Sequence, residues 1–212
     1  MTPDPANAVA GQPASGASIP AMTPAPPAPP LTVSLLPYEH LLEERPRSQV
    51  DLVVVHCTEL PDLAMAREFG EQVHYDSGTG NSGHFYVDRD GSVHQYVSVE
   101  RIAHHVRGYN PRAIGIELVN TGRYPDWLAT GSQHMLEAYP DPQIDGLLAL
   151  LHRLQAELPA LRFIAGHEDL DTTRVPASDE ADVLVQRKLD PGPMFPWERV
   201  LESTPLQRLM PL

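Results

Sequence analysis

Asp51-Leu52-Val53-Val54-Val55-His56-Cys57 is a β-branched run with few polar positions, a pattern that predicts a buried strand. Side chains alternate between the two faces of a strand. His56 is therefore expected on the same face as Leu52 and Val54, while Cys57 points the other way as a buried thiol. A histidine that ends a buried strand lies where the sheet meets solvent, which suits a metal ligand. A core histidine bonded to a backbone carbonyl fits the run equally well.

The rest of the chain alternates between predicted strands and helices. Asp90-Gly91 predicts the turn of a hairpin over 84–97. Leucines at helical spacing predict a helix over 142–158, with Asp141 as its cap. Further strands are expected at 113–119 and 161–165, and helices at 61–72 and 197–201, whereas 172–186 is interpreted as an irregular excursion. This alternation predicts a single α/β domain over residues 31–212, with a mixed central β-sheet flanked by helices.

The charge balance argues against a nucleic-acid partner. The 212 residues carry 28 acidic and 15 basic side chains, a formal net charge of −13. Nucleic-acid binding needs a basic face, so no nucleic-acid partner is expected. Cys57 is the only cysteine, so no intramolecular disulfide can form. No apolar run reaches the length of a transmembrane segment.

Residues 1–30 are rich in Ala, Pro, Gly and Ser, and they end in Pro24-Ala25-Pro26-Pro27-Ala28-Pro29-Pro30. This composition predicts a disordered arm. The segment has neither a basic start nor a continuous apolar stretch, so no clear signal peptide is predicted. A cytoplasmic and a periplasmic location both stay open, and the arm mildly favours a tether or export.

Two further candidate ligands end or follow apolar runs. His167 lies in a predicted loop after the strand at 161–165, and Asp190 precedes Pro191. Two imidazoles and one carboxylate with an open fourth position form the ligand set of a hydrolytic zinc centre. The alternating geometry of an extended segment places Lys188 on the same side as Asp190. Its ammonium is then expected beside the metal, the alternative being a solvated surface lysine.

Glu117 lies inside the apolar stretch Ile114-Gly115-Ile116-Glu117-Leu118-Val119. Burying a carboxylate in such a strand costs free energy, so the group is expected either to have a charged partner or to take part in catalysis. Burial would raise its pKa and suit it to proton transfer near neutral pH. A buried salt bridge with Arg112 or Arg107 is the structural alternative. Both arginines flank Tyr109-Asn110 in a loop, where they are candidates for binding substrate carboxylates or ordinary surface charges.

Seven stretches, in this order, resemble the zinc-dependent N-acetylmuramoyl-L-alanine amidases of the amidase-2 type, which are related to the phage T7-like amidases and the peptidoglycan recognition proteins. Together they span roughly residues 48 to 201. The matching stretches are 53–59, 82–87, 102–105, 109–110, 114–117, 166–169 and 188–193.

The resemblance implies a role for each matching residue. His56, His167 and Asp190 would bind one zinc ion per chain, Glu117 would be the general base and Lys188 would steady the oxyanion. The implied reaction is hydrolysis of the amide between N-acetylmuramic acid and L-alanine. The implied partner is peptidoglycan or a muropeptide, and a monomer is expected. The candidates for substrate binding are His84, His105, Asn110, Arg107 and Arg112.

Two departures from the family pattern stand out. His104 occupies a position where relatives often carry Trp. The stretch from Asp169 to Lys188 is longer than in compact members of the family, and this extra length predicts a flap. The main alternative function is a non-catalytic peptidoglycan-binding module on the same fold. A peptidase lacks support because the chain has no His-Glu-x-x-His motif. A structural zinc site would call for four ligands rich in Cys.

Overall fold

The computed structural model describes residues 30–210. The predicted arm, residues 1–30, lies outside this range apart from Pro30, so the arm and the proposed domain boundary stay predictions. No helix within the described range is both long and apolar enough to cross a membrane.

In the part of the chain that the structure describes, the central sheet contains seven strands in the order β1-β4-β3-β5-β2-β6-β9, and β7 pairs with β8 in a separate hairpin. In the sheet, β3 and β4 are antiparallel, whereas every other neighbouring pair is parallel. The predicted mixed sheet is therefore confirmed. The strands are β1 Leu31–Val33, β2 Leu52–Cys57, β3 Phe85–Val87, β4 Val93–Gln95, β5 Ala113–Leu118, β6 Phe163–Gly166, β7 Arg174–Pro176, β8 Leu184–Gln186 and β9 Gln207–Arg208.

Within residues 30–210, four α-helices accompany the sheet: α1 Leu63–Gly70, α2 Asp141–Glu157, α3 His167–Leu170 and α4 Trp197–Ser203. Asp62 caps α1, since its side chain accepts a hydrogen bond from the Met65 N–H at 2.8 Å. The predicted cap of α2 is wrong. Pro140 occupies the N-cap and Asp141 is already helical. Proline is tolerated in the first turn, where N–H groups have no partner within the helix, so Pro142 does not exclude Asp141 from it.

The alternation predicted for β2 is confirmed by the way its two faces pack. Val53, Val55 and Cys57 belong to the main core cluster, which also contains the buried leucines of α2. Leu52 and Val54 belong to a smaller cluster on the opposite face. All six residues of β2 are buried, so both faces of the sheet are covered at this central strand.

Three elements differ from the sequence prediction. His167 was expected in a loop, but it is the first residue of α3. The segment over 172–186 was interpreted as irregular, whereas β7 and β8 form an antiparallel hairpin there. The edge strands β1 and β9 were not predicted, because strands of two or three residues are too short to show an alternating pattern.

Candidate active site

The two candidate histidine ligands lie at the carboxyl ends of neighbouring strands. His56 is the fifth residue of β2, and His167 directly follows β6. The strands are parallel, with Val55 paired to Gly166. Parallel strands end at the same edge of a sheet, so the register brings the two imidazoles together.

Asp190 completes the predicted trio. Its Oδ2 lies 2.9 Å from His56 Nδ1 and 3.1 Å from His167 Nδ1. One ligand atom from each residue lies within 4.8 Å of the others, and all three side chains are buried. These are the donor types, and the compact spacing, that one zinc ion at about 2.0–2.2 Å from each ligand requires.

The atoms around the trio fit a bound cation. Asp190 Oδ1 is buried and has no hydrogen-bond partner among the described residues. His56 Nε2 lies 3.0 Å from His105 Nδ1. With His56 Nδ1 as a metal ligand, the Nε2–H would donate a hydrogen bond to His105 Nδ1, which would orient the ring. His105 thus lies behind a candidate ligand and is not a member of the candidate ligand set.

Burial and the neighbouring groups shift the pKa values of both His56 and Asp190. Burial lowers the pKa of His56 to about 4, although the Asp190 carboxylate opposes the effect. Burial acts to raise the pKa of Asp190, but the charge and hydrogen bond of His167, together with the His56 bond, hold it well below its usual range. At neutral pH the site therefore offers a neutral His56 and an ionised Asp190, the forms that bind metals.

Glu117 stands beside this cluster on β5. It is the register partner of His56, and its half-buried side chain lines the same pocket. Burial, reinforced by the Asp190 charge, raises the pKa of Glu117 well above its usual value, and the Lys188 ammonium partly opposes this rise. The structure shows no ion pair between Glu117 and Arg112 or Arg107 within the described range.

Lys188 is half-buried and lines the pocket two residues before Asp190. Its charge lowers the pKa values of both Glu117 and Asp190. Lys188 therefore lines the same pocket as the trio and Glu117.

The pocket has a volume of about 770 Å³, within the range of about 300–1,000 Å³ usual for small-molecule sites. Besides the trio, Glu117 and Lys188, its walls carry cations, rings and polar groups. These include His74, Tyr75, His104, His105, Arg107, Asn110, Arg123, Trp127 and Arg187. His104 packs edge-on against Tyr75 with ring centroids 4.9 Å apart, so the unusual residue forms part of one wall.

The five candidate substrate contacts separate into two groups. Arg107, His105 and Asn110 line the pocket, and Arg107 is exposed. Asn110 also holds the loop in place, since its Oδ1 accepts hydrogen bonds from the backbone N–H groups of His105 and Val106. The other two candidates, His84 and Arg112, are not among the residues that line it.

His84 and Arg112 make contacts that belong to the framework. His84 is fully buried; its Nδ1 accepts from the Gly115 N–H at 3.0 Å, and its Nε2 lies 2.8 Å from Arg45 Nη2 and 3.0 Å from the Arg101 carbonyl oxygen. Arg112 forms a bidentate pair with Asp51, both bonds measuring 2.6 Å. Their positions do not support a contact with substrate.

Two pocket residues were given no role from the sequence. Glu59 and Arg123 form a buried ion pair, with Nε to Oε1 at 2.6 Å and Nη2 to Oε2 at 3.0 Å. The partners are 64 positions apart. Glu59 lies inside a matching motif, but an arginine in a loop after a strand carries no signal of its own.

Comparison with known proteins agrees with this geometry. The family model for N-acetylmuramoyl-L-alanine amidase, Amidase_2, matches residues 46–193. The 1,6-anhydro-N-acetylmuramyl-L-alanine amidase AmpD of Enterobacter cloacae is 33% identical over 122 residues, which cover 53% of this chain and 51% of AmpD. AmpD of Citrobacter freundii is 32% identical over 127 residues, or 56% and 54% of the two chains. This chain thus spans about half the length of these relatives.

Solved structures share the fold. A crystal structure of an AmpD derivative superposes with a TM-score of 0.57 at 26% identity, covering 82% of this chain and 93% of that one. The amidase AmiD from E. coli, in complex with anhydro-N-acetylmuramic acid-L-Ala-D-gamma-Glu-L-Lys, gives a TM-score of 0.56 at 21% identity, covering 73% and 57%. With a family match that covers more than half of its residues, the chain belongs to the N-acetylmuramoyl-L-alanine amidases of the amidase-2 family.

Proposed function

We propose that this chain is a zinc-dependent amidase that hydrolyses the bond between N-acetylmuramic acid and L-alanine in peptidoglycan or its fragments. The observation that carries the proposal is the convergence of His56, His167 and Asp190 with Glu117 and Lys188 on one pocket. A binding-only module has no need of a buried ligand trio beside a carboxylate whose pKa is raised.

The trio would hold zinc through His56 Nδ1, His167 Nδ1 and an Asp190 carboxylate oxygen. Zinc bound there supplies Lewis acidity, which makes water acidic enough to react near neutral pH. His105 keeps the His56 ring in the orientation that directs Nδ1 at the site.

Glu117 would move the proton. Its carboxylate accepts a proton from the attacking water and then delivers it to the amine nitrogen of the departing L-alanine. A raised pKa suits both halves of this task, because the group must accept a proton and release it again near neutral pH. The Lys188 ammonium would donate a hydrogen bond to the oxyanion that develops on the scissile carbonyl.

The substrate class rests on the relatives and on the pocket. AmiD from E. coli has been solved with a muramyl peptide, and the AmpD relatives are named for the 1,6-anhydro sugar. Stem peptides carry carboxylates, and Arg107 provides an exposed cation at the pocket of an otherwise acidic chain.

Mass spectrometry of muropeptide digests tests this proposal directly. The purified chain is incubated with an anhydro-muropeptide and, separately, with sacculi, after metal analysis and with matched chelator-treated and zinc-restored samples. Release of intact stem peptide that depends on zinc supports the amidase. Cleavage within the peptide would indicate a peptidase instead, and binding without any product would indicate the non-catalytic module.

A further inference from the structure

The segment between the second and third ligands poses a structural problem. His167 and Asp190 are separated by 22 residues, and ordering a segment of this length opposes folding. The β7–β8 hairpin brings Thr173 and Arg187 together, with the Arg187 N–H donating to the Thr173 carbonyl at 2.8 Å. A two-stranded hairpin alone is marginally stable, so the position of Asp190 must be fixed by contacts with the rest of the domain.

Asp190 itself accepts a backbone hydrogen bond from the Glu168 N–H at 3.0 Å, and Arg123 holds the residues just before Lys188. Its guanidinium donates to the carbonyl of Gln186 at 2.9 Å through Nη1 and to the carbonyl of Arg187 at 3.2 Å through Nη2. These are the two residues that immediately precede Lys188. The same group also binds both oxygens of Glu59 and, at 3.4 Å, the Gln133 side chain. All five N–H donors of the guanidinium are therefore used.

Glu59, the ion-pair partner of Arg123, lies just after the end of β2 and so connects the guanidinium to the sheet. It lies three residues after His56, and its φ of +50° is uncommon for a residue other than glycine. Such a conformation persists where surrounding contacts fix it. The Trp127 indole donates to the Glu59 carbonyl at 3.1 Å. Gly122 packs so closely that a Cβ there would lie 2.7 Å from Glu59 Cγ.

The loop that carries Arg123 also supports the hairpin at more distant points. The Ser178 N–H donates to the Leu128 carbonyl at 3.0 Å, and the Thr130 hydroxyl donates to Asp179 at 2.9 Å. The Asp179 pair is exposed, whereas the Arg123 side chain is only 1% exposed. Water competes less with buried charged hydrogen bonds, so the Arg123 contacts constrain the segment more strongly than the exposed Asp179 pair does.

We propose that Arg123, through its ion pair with Glu59, is a positioning residue that holds Lys188 and Asp190 against the carboxyl end of β2. The inference rests on the proposed metal-dependent function and deepens it. Arg123 does not take part in the chemistry. It connects the end of the strand that carries His56 to the segment that carries Asp190, and so fixes the separation of two ligands on different parts of the chain.

The experiment measures zinc affinity of the full chain by chelator competition, together with the melting temperature before and after saturation with zinc. Arg123→Met is compared with Arg89→Met, a matched control. Arg89 forms a partly buried pair with Glu137 at 2.7 Å and donates to the Pro61 carbonyl, and among the described contacts it makes none to residues 186–190. Both variants lose an ion pair, but only Arg123→Met also loses the hydrogen bonds to the carbonyls of Gln186 and Arg187.

We expect Arg123→Met to bind zinc about 10- to 100-fold more weakly, the usual effect of losing a partner that orients a metal ligand. Its gain in melting temperature on adding zinc should shrink accordingly. Arg89→Met should keep the wild-type zinc affinity even if its metal-free melting temperature falls. Arg123→Lys retains the charge but lacks the planar set of five donors. Arg123→Lys should therefore also lose zinc affinity, and it replaces Arg123→Met in the experiment if the Met variant does not fold.

Wild-type zinc affinity in Arg123→Met or Arg123→Lys would overturn the inference, as would an equal loss in Arg89→Met. Failure of the proposed function gives a different result. In that case the unmodified chain itself binds no zinc, and both proposals fall together.

Discussion

Glu117 is the direct register partner of His56 in the parallel pairing of β5 with β2. Register partners on adjacent parallel strands lie about 4.8 Å apart and project from the same face of the sheet. The candidate base and the first candidate ligand therefore keep a separation set by backbone hydrogen bonds. A rigid sheet is the most accurate platform available for two groups that must act on one water molecule.

Replacing Glu117 by Gln should leave metal content unchanged and reduce turnover by about 10²–10⁴-fold, because the amide is close in size but cannot accept the proton. The measurement is a kcat determination on a muropeptide beside metal analysis of the same sample. Turnover close to wild type with the metal retained would remove Glu117 from the role of base.

Replacing Lys188 by Met should lower kcat by about 10²–10³-fold and change KM little, since the ammonium acts on charge that develops only in the transition state. Steady-state kinetics separate the two constants. An effect confined to KM would mean that Lys188 binds the substrate in its ground state.

The two candidate arginines should behave differently. Arg107→Met removes an exposed cation from the pocket and should raise KM for substrates with free stem carboxylates by about two- to fivefold, as expected for an exposed charge pair. An amidated stem should show no such change. Arg112→Met removes a pair with Asp51 outside the pocket lining, so its KM should match wild type. A KM defect in Arg112→Met would contradict this placement.

Glu117→Gln should also change how the stability of the metal-free protein depends on pH. The pKa of Glu117 is raised in the folded state, so the folded chain binds this proton more tightly than the unfolded chain. The resulting stabilisation is present below the unfolded pKa of about 4.3 and is lost as pH rises through the folded pKa. Gln cannot ionise, so the variant should be the more stable protein at neutral pH. Thermal melts across pH, on chelator-treated samples, measure this difference; identical wild-type and variant profiles would refute it.

Gly115→Ala tests the group behind the first ligand. A Cβ at this position would lie 2.7–2.9 Å from ring atoms of His105, so the ring must move and lose its 3.0 Å contact with His56. Zinc affinity should fall about 10- to 100-fold. Gly131→Ala is the control, because a Cβ there meets nothing within 4 Å. Unchanged zinc affinity in Gly115→Ala would show that His105 does not orient His56.

Local patterns in the sequence were sufficient for the central elements. The β-branched run at β2, the Asp90-Gly91 turn and the leucine spacing of α2 each specify an element within a short window. Alternation along β2 also assigned His56 and Cys57 to opposite faces. These features depend on the backbone period and on burial, and both can be inferred from the pattern of apolar residues within a short window.

The sequence by itself thus determined the mixed α/β fold, and with the family motifs it predicted the candidate trio, Glu117 and Lys188, which the structure brings to one pocket. Only the tertiary structure decided how Asp190 reaches the two histidines, because the chain returns to them through the β7–β8 hairpin, next to which Arg123 pairs with Glu59 across 64 positions. It also placed Arg112 on Asp51 and buried His84 in the framework. Such contacts depend on strand order and loop packing, which bring together residues whose local sequences carry no information about each other.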